Sequence, residues 1–289
     1  MTKFFEAPDG RRLAYQDTGG SAGPAVLCLA GLTRNARDFA GLAAHLATRY
    51  RVLRLDSRGR GLSEWADDPV AEYTVPVEAG DALALLDHLE ISRTAIIGTS
   101  RGGVLGMIIG ATASTRISCL VLNDIGPVVE PPGLAGIMDF IGIEPRAETF
   151  EAAAAGLARA MGAAFPDLSP KQWLGFARTI YRDEDGRPRL SYDARLRQAV
   201  EAAMQAAKQA GQEDLWGFFD ALAGLPILTI RGENSDILSV DTLAEMTRRR
   251  PDMGRVTVAR RGHVPFLDEP EAVAAIDKFL EQHATCQSQ

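Results

Sequence analysis

Short apolar runs alternate with amphipathic stretches along most of the chain. The runs rich in β-branched and aliphatic residues have strand length and predict strands over residues 13–17, 25–29, 51–55, 94–98, 117–123, 226–231 and 255–258. Stretches with apolar residues at helical spacing predict helices over 39–48, 76–90, 100–111, 240–249 and 270–282. This alternation predicts an α/β fold with a mostly parallel sheet flanked by helices on both faces.

The alternation stops between about residues 126 and 224, where strand-like runs disappear. Alanine-rich stretches over 147–165, 170–181 and 194–210 predict helices there. We therefore expect a helical cap, or lid, over residues 126–222, inserted into an α/β core formed by residues 1–125 and 223–289. Open α/β sheets bind ligands at the carboxyl ends of their strands, so such a cap would cover that edge.

Composition restricts the class of partner more than the class of fold. The 289 residues are 46% hydrophobic and 24% charged, as in ordinary globular proteins, and carry a formal net charge of -7. An acidic chain without a basic stripe is a poor match for nucleic acid or an anionic membrane, so we expect neither as a partner. The first residues lack a long apolar segment, which favours a cytoplasmic location.

Cysteine usage predicts no metal site. Cys28 and Cys119 lie in apolar strand-like runs, Cys286 lies in a polar tail, and their spacing is not that of metal ligands. Buried small hydrophobic residues are the expected role of the first two.

The most specific motif follows the predicted strand 94–98. Gly98-Thr99-Ser100-Arg101-Gly102 is a Gly-x-Ser-x-Gly pattern that leads directly into an apolar helical stretch. A serine hydroxyl is a weak nucleophile unless it is held clear of its neighbours, beside a base and backbone N–H donors. A sharp turn between strand and helix provides that position, so Ser100 is the predicted nucleophile.

A base for Ser100 is found by elimination among four histidines. His45 and His88 fall in helical patterns, and His283 lies near the C-terminus. His263 follows the last predicted strand, in a loop that can return the imidazole to the sheet edge. We expect His263 to act as general base and acid.

Two aspartates compete to orient His263. Asp236 follows the strand 226–231 and completes the order Ser, Asp, His along the chain, so it is the favoured acid. Asp124 follows the strand 117–123 and also stands at a carboxyl edge; its alternatives are a turn or capping role or contact with the substrate.

An oxyanion hole requires two backbone N–H groups beside the nucleophile. The N–H of Arg101, directly after Ser100, is one candidate. The N–H of Leu32 is the other, because Gly31 before it allows close approach of the loop after strand 25–29.

Together these features resemble the α/β-hydrolase superfamily, in its lidded subgroup of esterases, lactonases and carbon–carbon bond hydrolases. The resemblance spans nearly the whole chain, and the segments that carry it are 29–32, 56–63, 98–102, 232–236 and 262–263. Two departures are Ala30 where many members have histidine, and Arg101 where a smaller or apolar residue is common.

The resemblance implies a serine hydrolase without cofactor that cleaves a small or medium ester or lactone through an acyl-enzyme. Alternatives within catalysis are hydrolysis of a carbon–carbon bond in a vinylogous diketone, and a cofactor-free dioxygenase, for which Asp124 stands in a position used by some relatives. A non-catalytic small-molecule receptor on the same scaffold is the alternative from another class. We expect a monomer or homodimer.

Substrate contacts are assigned only as candidates. The guanidinium groups of Arg101 and Arg34 would suit a substrate carboxylate, although surface arginines are usually solvated. Phe140, Trp173 and Phe176 would line the pocket from the cap, or only pack the cap onto the core.

Overall fold

The fold is an eight-stranded sheet with helices on both faces and a large insertion between two of its strands. The computed structural model describes residues 1–19, 23–211 and 214–284; Cys286 and the rest of 285–289, at the end of the predicted core segment 223–289, fall outside them. The strands are β1 Thr2–Glu6, β2 Arg12–Asp17, β3 Ala25–Leu29, β4 Arg51–Leu55, β5 Thr94–Thr99, β6 Ile117–Asn123, β7 Tyr181–Glu184, β8 Arg187–Leu190, β9 Ile227–Gly232 and β10 Gly254–Val258. The α-helices are α1 Ala40–Leu46, α2 Pro69–Glu72, α3 Val75–His88, α4 Arg101–Thr112, α5 Pro131–Phe140, α6 Phe150–Met161, α7 Pro170–Ile180, α8 Leu196–Ala210, α9 Trp216–Asp220, α10 Val240–Arg249 and α11 Pro270–His283.

The main sheet has the order β1-β2-β4-β3-β5-β6-β9-β10. The pairs β1–β2 and β2–β4 are antiparallel, and every pair from β4 to β10 is parallel. The central strands β5, β6 and β9 are buried along their whole length because helices cover both faces. The predicted α/β class with a mostly parallel sheet is confirmed.

The seven predicted strands all occur, with ends that differ from the prediction by at most one residue. The additional strand β1 was missed because it lies at the sheet edge, where only Phe5 is fully buried. Its short, half-exposed sequence lacks the continuous apolar run of an inner strand.

Several helices begin at side chains that satisfy a free backbone N–H. The Thr74 hydroxyl accepts the Val77 N–H at the start of α3, and Ser239 does the same for Thr242 at the start of α10. Ser169 and Gln172 form a reciprocal capping box at α7. These caps fix where the flanking helices begin.

The insertion between β6 and β9 is not purely helical. Helices α5 to α9 lie there, but β7 and β8 form an antiparallel hairpin, so the expectation that strands disappear is wrong. The hairpin turns at Asp185 and Gly186, which both have left-handed φ angles of 52° and 83°. The boundaries 126 and 222 of the cap stay a prediction.

Backbone hydrogen bonds attach the insertion to the core. The Gly61 N–H donates to the Ser191 carbonyl at 2.8 Å, and the Asp193 N–H donates to the Gly59 carbonyl at 2.8 Å. Tyr73 donates its hydroxyl to Asp193 at 2.7 Å. The segment after β8 is therefore held against the loop that follows β4.

Among the helices that the structure describes, none is both long and apolar enough to cross a membrane.

Candidate functional site

Ser100 stands at a strained turn between β5 and α4. Its φ and ψ angles are 50° and -117°, a region that non-glycine residues rarely adopt. A Cβ atom at Gly98 would overlap the backbone of Gly102 and Gly103 across the turn, and one at Gly102 would overlap the Leu29 carbonyl at the end of β3. The Ser100 N–H donates to the Asn123 carbonyl at 2.9 Å. The elbow that the motif predicts is therefore present in the backbone.

His263 reaches Ser100 from the loop after β10. Its Nε2 atom lies 2.9 Å from the Ser100 Oγ atom. The buried Glu269 holds this loop, because its carboxylate accepts the N–H groups of Phe266 and Leu267, both at 3.0 Å. The predicted pairing of Ser100 with His263 matches this geometry.

Asp124 occupies the other side of the imidazole. Its Oδ2 atom lies 2.8 Å from His263 Nδ1 and accepts the Ser235 hydroxyl at 2.6 Å. Its Oδ1 atom accepts the Gly232 N–H at 2.8 Å. The side chain is fully buried, so these three donors replace the water that a carboxylate would otherwise bind.

The structure contradicts the predicted contact between Asp236 and His263. Asp236 is exposed, and within the described residues its carboxylate makes no hydrogen bond or ion pair. Asp124 takes the position because β6 lies directly beside β5, which carries Ser100. The turn that contains Asp236 contributes the Ser235 hydroxyl instead.

Leu32 and Arg101 both offer an unused backbone N–H. Neither N–H donates to an acceptor within residues 1–19, 23–211 and 214–284. The loop of Leu32 lies beside the nucleophile, since a Cβ atom on Gly31 would stand 3.7 Å from the Ser100 Cβ atom. Both groups are thus available to an oxygen atom bound near Ser100.

The Arg101 side chain is bound to the protein along one edge of its guanidinium. Its Nε atom donates to Glu78 Oε2 at 2.7 Å, and its Nη2 atom donates to the Tyr73 carbonyl at 3.0 Å. Burial opposes ionisation of Glu78, but Arg101 and Arg60 together hold the pKa of that carboxyl below its usual range. The guanidinium of Arg101 is an ion-pair partner of Glu78, and its Nη1 atom has no hydrogen-bond partner among the described residues.

Arg34 is likewise paired along one edge of its guanidinium. Its Nε and Nη2 atoms donate to Asp38, both at 2.7 Å, and its guanidinium stacks 4.8 Å from the centre of the Phe176 ring. Its Nη1 atom has no hydrogen-bond partner among the described residues. The Cγ atom lies 3.3 Å from where a Cβ atom on Gly31 would be, so the side chain lies near the nucleophile.

The three aromatic candidates occupy different environments. Trp173 is buried and packs edge-on against Phe165, with ring centres 6.1 Å apart. Phe176 is half-buried and packs on Phe266 of the His263 loop at 5.2 Å. Phe140 is 55% exposed at the end of α5. Of the three, Phe176 connects the insertion to the site most directly, whereas Trp173 packs inside the insertion.

Sequence reasoning missed several residues that build the site. Ser235 stands one residue before Asp236, in a turn already singled out, so its hydroxyl could have been considered there. Asn123 ends β6 and donates to the Pro265 carbonyl at 3.0 Å, which ties that strand to the His263 loop. Arg60 lies in the segment 56–63 that carries the family resemblance, but its contact with Glu78 joins distant parts of the chain and leaves no local pattern.

Comparisons with known proteins agree with the fold. The sequence profile described as "Alpha/beta hydrolase family" matches residues 26–276. The chain is 35% identical to a 3-hydroxybutyrate-oligomer hydrolase of Cupriavidus necator, over 93% of this chain and 92% of that protein. It is 27% identical to a 2-(acetamidomethylene)succinate hydrolase of Mesorhizobium japonicum, over 90% and 89%.

A solved structure extends the similarity over almost the full length. The crystal structure of an alpha/beta hydrolase from Novosphingobium aromaticivorans has a TM-score of 0.90 and 43% identity, covering 98% of each chain. The chain thus belongs to the α/β-hydrolase family, and its relatives support hydrolysis as its class of reaction.

Proposed function

We propose that this protein is a serine hydrolase that cleaves carboxylic esters through an acyl-enzyme, without a cofactor. The observation that carries the proposal is the alignment of three side chains. Ser100 Oγ lies 2.9 Å from His263 Nε2, and His263 Nδ1 lies 2.8 Å from the buried Asp124. Asp124 replaces Asp236 as the proposed acid.

The first half of the reaction forms the acyl-enzyme. The Ser100 Oγ atom bonds to the ester carbonyl carbon while His263 Nε2 takes the hydroxyl proton. The carbonyl electron pair moves to its oxygen, which accepts the N–H groups of Leu32 and Arg101. Asp124 faces the imidazolium at Nδ1. The bond to the alcohol oxygen then breaks, and the alcohol takes the proton from His263.

The second half releases the acid. A water molecule gives a proton to His263 Nε2 as its oxygen bonds to the acyl carbon. The tetrahedral intermediate collapses, the bond to Ser100 Oγ breaks, and that oxygen regains the proton from His263. The products are the free acid and an unchanged enzyme.

Esters of short hydroxy acids are the substrate class that we propose to test first. The Cupriavidus necator relative is named for hydrolysis of 3-hydroxybutyrate oligomers, which are chains of esters. Here Arg34 carries a guanidinium whose Nη1 atom has no partner among the described residues, beside the loop of Leu32. A carboxylate at one end of such an ester is a suitable acceptor for that free edge.

Active-site labelling tests the proposal directly. We expect a fluorophosphonate probe to label the parent protein at Ser100, and Ser100→Ala to escape labelling and to lose about 10,000-fold or more of its turnover of p-nitrophenyl butyrate. Ser114→Ala is the matched control, because Ser114 is exposed beyond the opposite end of α4. It should label and turn over like the parent.

Other outcomes separate the alternatives. Unchanged hydrolysis by Ser100→Ala would contradict the proposal. Turnover of dienoate ketones with weak action on esters would favour carbon–carbon bond hydrolysis. A serine that is inert to the probe, in a protein that binds a small molecule tightly, would favour a receptor.

A further inference from the structure

Two buried charged side chains lie between the segments that carry the proposed oxyanion hole. Arg60 follows β4, and Glu78 lies in the first turns of α3; each side chain is 1% exposed. The proposed reaction assigns a role to neither. Arg60 contacts Leu32 and Glu78 contacts Arg101, the two residues whose N–H groups form the proposed oxyanion hole.

A continuous series of contacts joins the two segments through these residues. Arg60 donates from Nε to the Leu32 carbonyl at 2.9 Å and from Nη1 to Glu78 Oε1 at 2.8 Å. Glu78 Oε2 accepts Arg101 Nε at 2.7 Å. The side chains of Arg60, Glu78 and Arg101 thus form a bridge, Arg60–Glu78–Arg101, that begins at the Leu32 carbonyl. It connects the Leu32 loop with the residue after Ser100 independently of the main chain.

Further contacts fix both ends of this bridge. Arg60 also donates to the Arg58 carbonyl at 2.6 Å, and its guanidinium stacks 5.3 Å from the centre of the Tyr73 ring. Arg101 donates to the Tyr73 carbonyl at 3.0 Å. Since charged hydrogen bonds are stronger where water is excluded, the bridge is stiff.

Such stiffness suits an oxyanion hole. Its donors act only if they point to the place where negative charge develops, before the charge forms. The pairing of β3 with β5 ends at Leu29 and Gly98, so the Leu32 loop and the start of α4 lie beyond the part of the sheet that aligns them. Buried ion pairs are weak evidence of stability, which makes a geometric role the better reason for placing three charges here.

We propose that Arg60 and Glu78 are positioning residues. They keep the Leu32 and Arg101 N–H groups pointed at the oxygen of an intermediate bound to Ser100. This inference rests on the proposed function. It predicts that weakening the bridge lowers stabilisation of the tetrahedral intermediate while substrate binding is retained.

The test uses two variants and a matched control. Glu78→Gln keeps the shape of the side chain but removes its charge. Arg101→Met removes the outer guanidinium, keeps the backbone N–H, and leaves Arg60 paired with Glu78, so it remains informative if Glu78→Gln does not fold. Asp17→Asn is the control, because Asp17 is a carboxylate with a 2% exposed side chain and two cationic partners, Lys3 and Arg51.

The control is placed at the opposite end of the sheet. Arg51, which begins β4, pairs in register with Ala25 at the start of β3, far along the strand from Leu29. Asp17→Asn should therefore lower the melting temperature without a selective effect on turnover.

Three quantities are measured: kcat and KM for p-nitrophenyl butyrate, and the inhibition constant of a trifluoromethyl ketone, which forms a tetrahedral adduct with serine. For each bridge variant we expect kcat to fall about 10- to 100-fold, KM to stay within about twofold, and ketone affinity to fall with kcat. Asp17→Asn should keep all three.

The results distinguish the inference from the function on which it rests. Equal kcat and ketone affinity in the parent and in a folded bridge variant would overturn the positioning role alone. An equal kcat loss in Asp17→Asn would also overturn it, since the loss would then follow general destabilisation. A parent that neither hydrolyses the ester nor binds the ketone would refute the proposed function, and this inference with it.

Discussion

The turns that follow β6 and β9 each carry an aspartate at the carboxyl edge of the sheet. The two aspartates differ in burial and in hydrogen-bond partners. Asp124, after β6, is fully buried and has three hydrogen-bond partners, Gly232, Ser235 and His263. Asp236, after β9, is exposed and has no side-chain hydrogen bond among the described residues. The turn after β6 encloses the Asp124 carboxylate, whereas the turn after β9 leaves the Asp236 carboxylate in solvent.

The difference shows what chain order does not decide. Both aspartates lie after Ser100 and before His263, and both follow a strand, so the order Ser, Asp, His is satisfied by either. The hydrogen-bond donors around each carboxylate decide which aspartate pairs with His263. Two of those donors, Gly232 and Ser235, come from the β9 turn itself, which therefore supports Asp124 rather than supplying the acid.

The largest effect separates the two aspartates. We expect Asp124→Asn to lower kcat for p-nitrophenyl butyrate by about 10,000-fold, because an amide at this position favours the wrong tautomer of His263. Asp236→Asn is the matched control and should keep kcat within about twofold. The opposite ranking in steady-state kinetics would reinstate Asp236 as the acid.

A smaller effect comes from the contact between the β9 turn and the His263 loop. A Cβ atom on Gly232 would stand 2.5 Å from the Arg261 carbonyl oxygen and 2.6 Å from that of Gly262. Gly232→Ala should therefore displace the loop and lower kcat about 100-fold, since small misplacements of catalytic groups are costly. Kinetics and a melting curve check this.

Gly175→Ala is the control for that substitution. Gly175 lies inside α7, and a Cβ atom there would meet no heavy atom within 4 Å. This variant should keep kcat and gain about 0.5–1 kcal/mol in the free energy of unfolding. Full activity in Gly232→Ala would show that the loop tolerates the shift and that the contact does not position His263.

The smallest effect concerns the Ser235 hydroxyl, which the turn after β9 donates to Asp124 in the turn after β6. Ser235→Ala removes the 2.6 Å hydrogen bond to Asp124 and the acceptor of the Ile237 and Leu238 N–H groups, but leaves the other two donors to Asp124. We expect kcat to fall about 10-fold, in line with the loss of one hydrogen bond to a charged group. The measurement is kcat at fixed pH.

Ser239→Ala is matched to this change, because the Ser239 hydroxyl caps the nearby helix α10. Loss of a cap should reduce the free energy of unfolding by about 1 kcal/mol and leave kcat unchanged. If both serine variants keep full turnover, the support that the β9 turn gives to Asp124 has no catalytic consequence.

The parts that the sequence predicts well are those with local causes. Inner parallel strands such as β5 and β6 are buried on both faces and so appear as continuous apolar runs. The position of Ser100 follows from the glycines that the turn requires on either side. His263 follows from its place after the last strand of the sheet.

The parts that the sequence does not predict have distant or weak causes. Strand β7 is half-exposed to fully exposed and largely charged, so its pairing with β8 leaves no apolar pattern. The role of Arg101 depends on Glu78, which lies 23 residues away on another helix. The choice of Asp124 depends on donors that only the folded turns bring together.

The most direct test of the Ser100–His263–Asp124 alignment is the proton NMR signal of the His263 Nδ1–H group. A hydrogen bond from Nδ1–H to a buried carboxylate shifts such a proton far downfield. We predict a downfield resonance in the parent that persists in Asp236→Asn and disappears in Asp124→Asn. A resonance that survives in Asp124→Asn and is lost in Asp236→Asn would contradict the account.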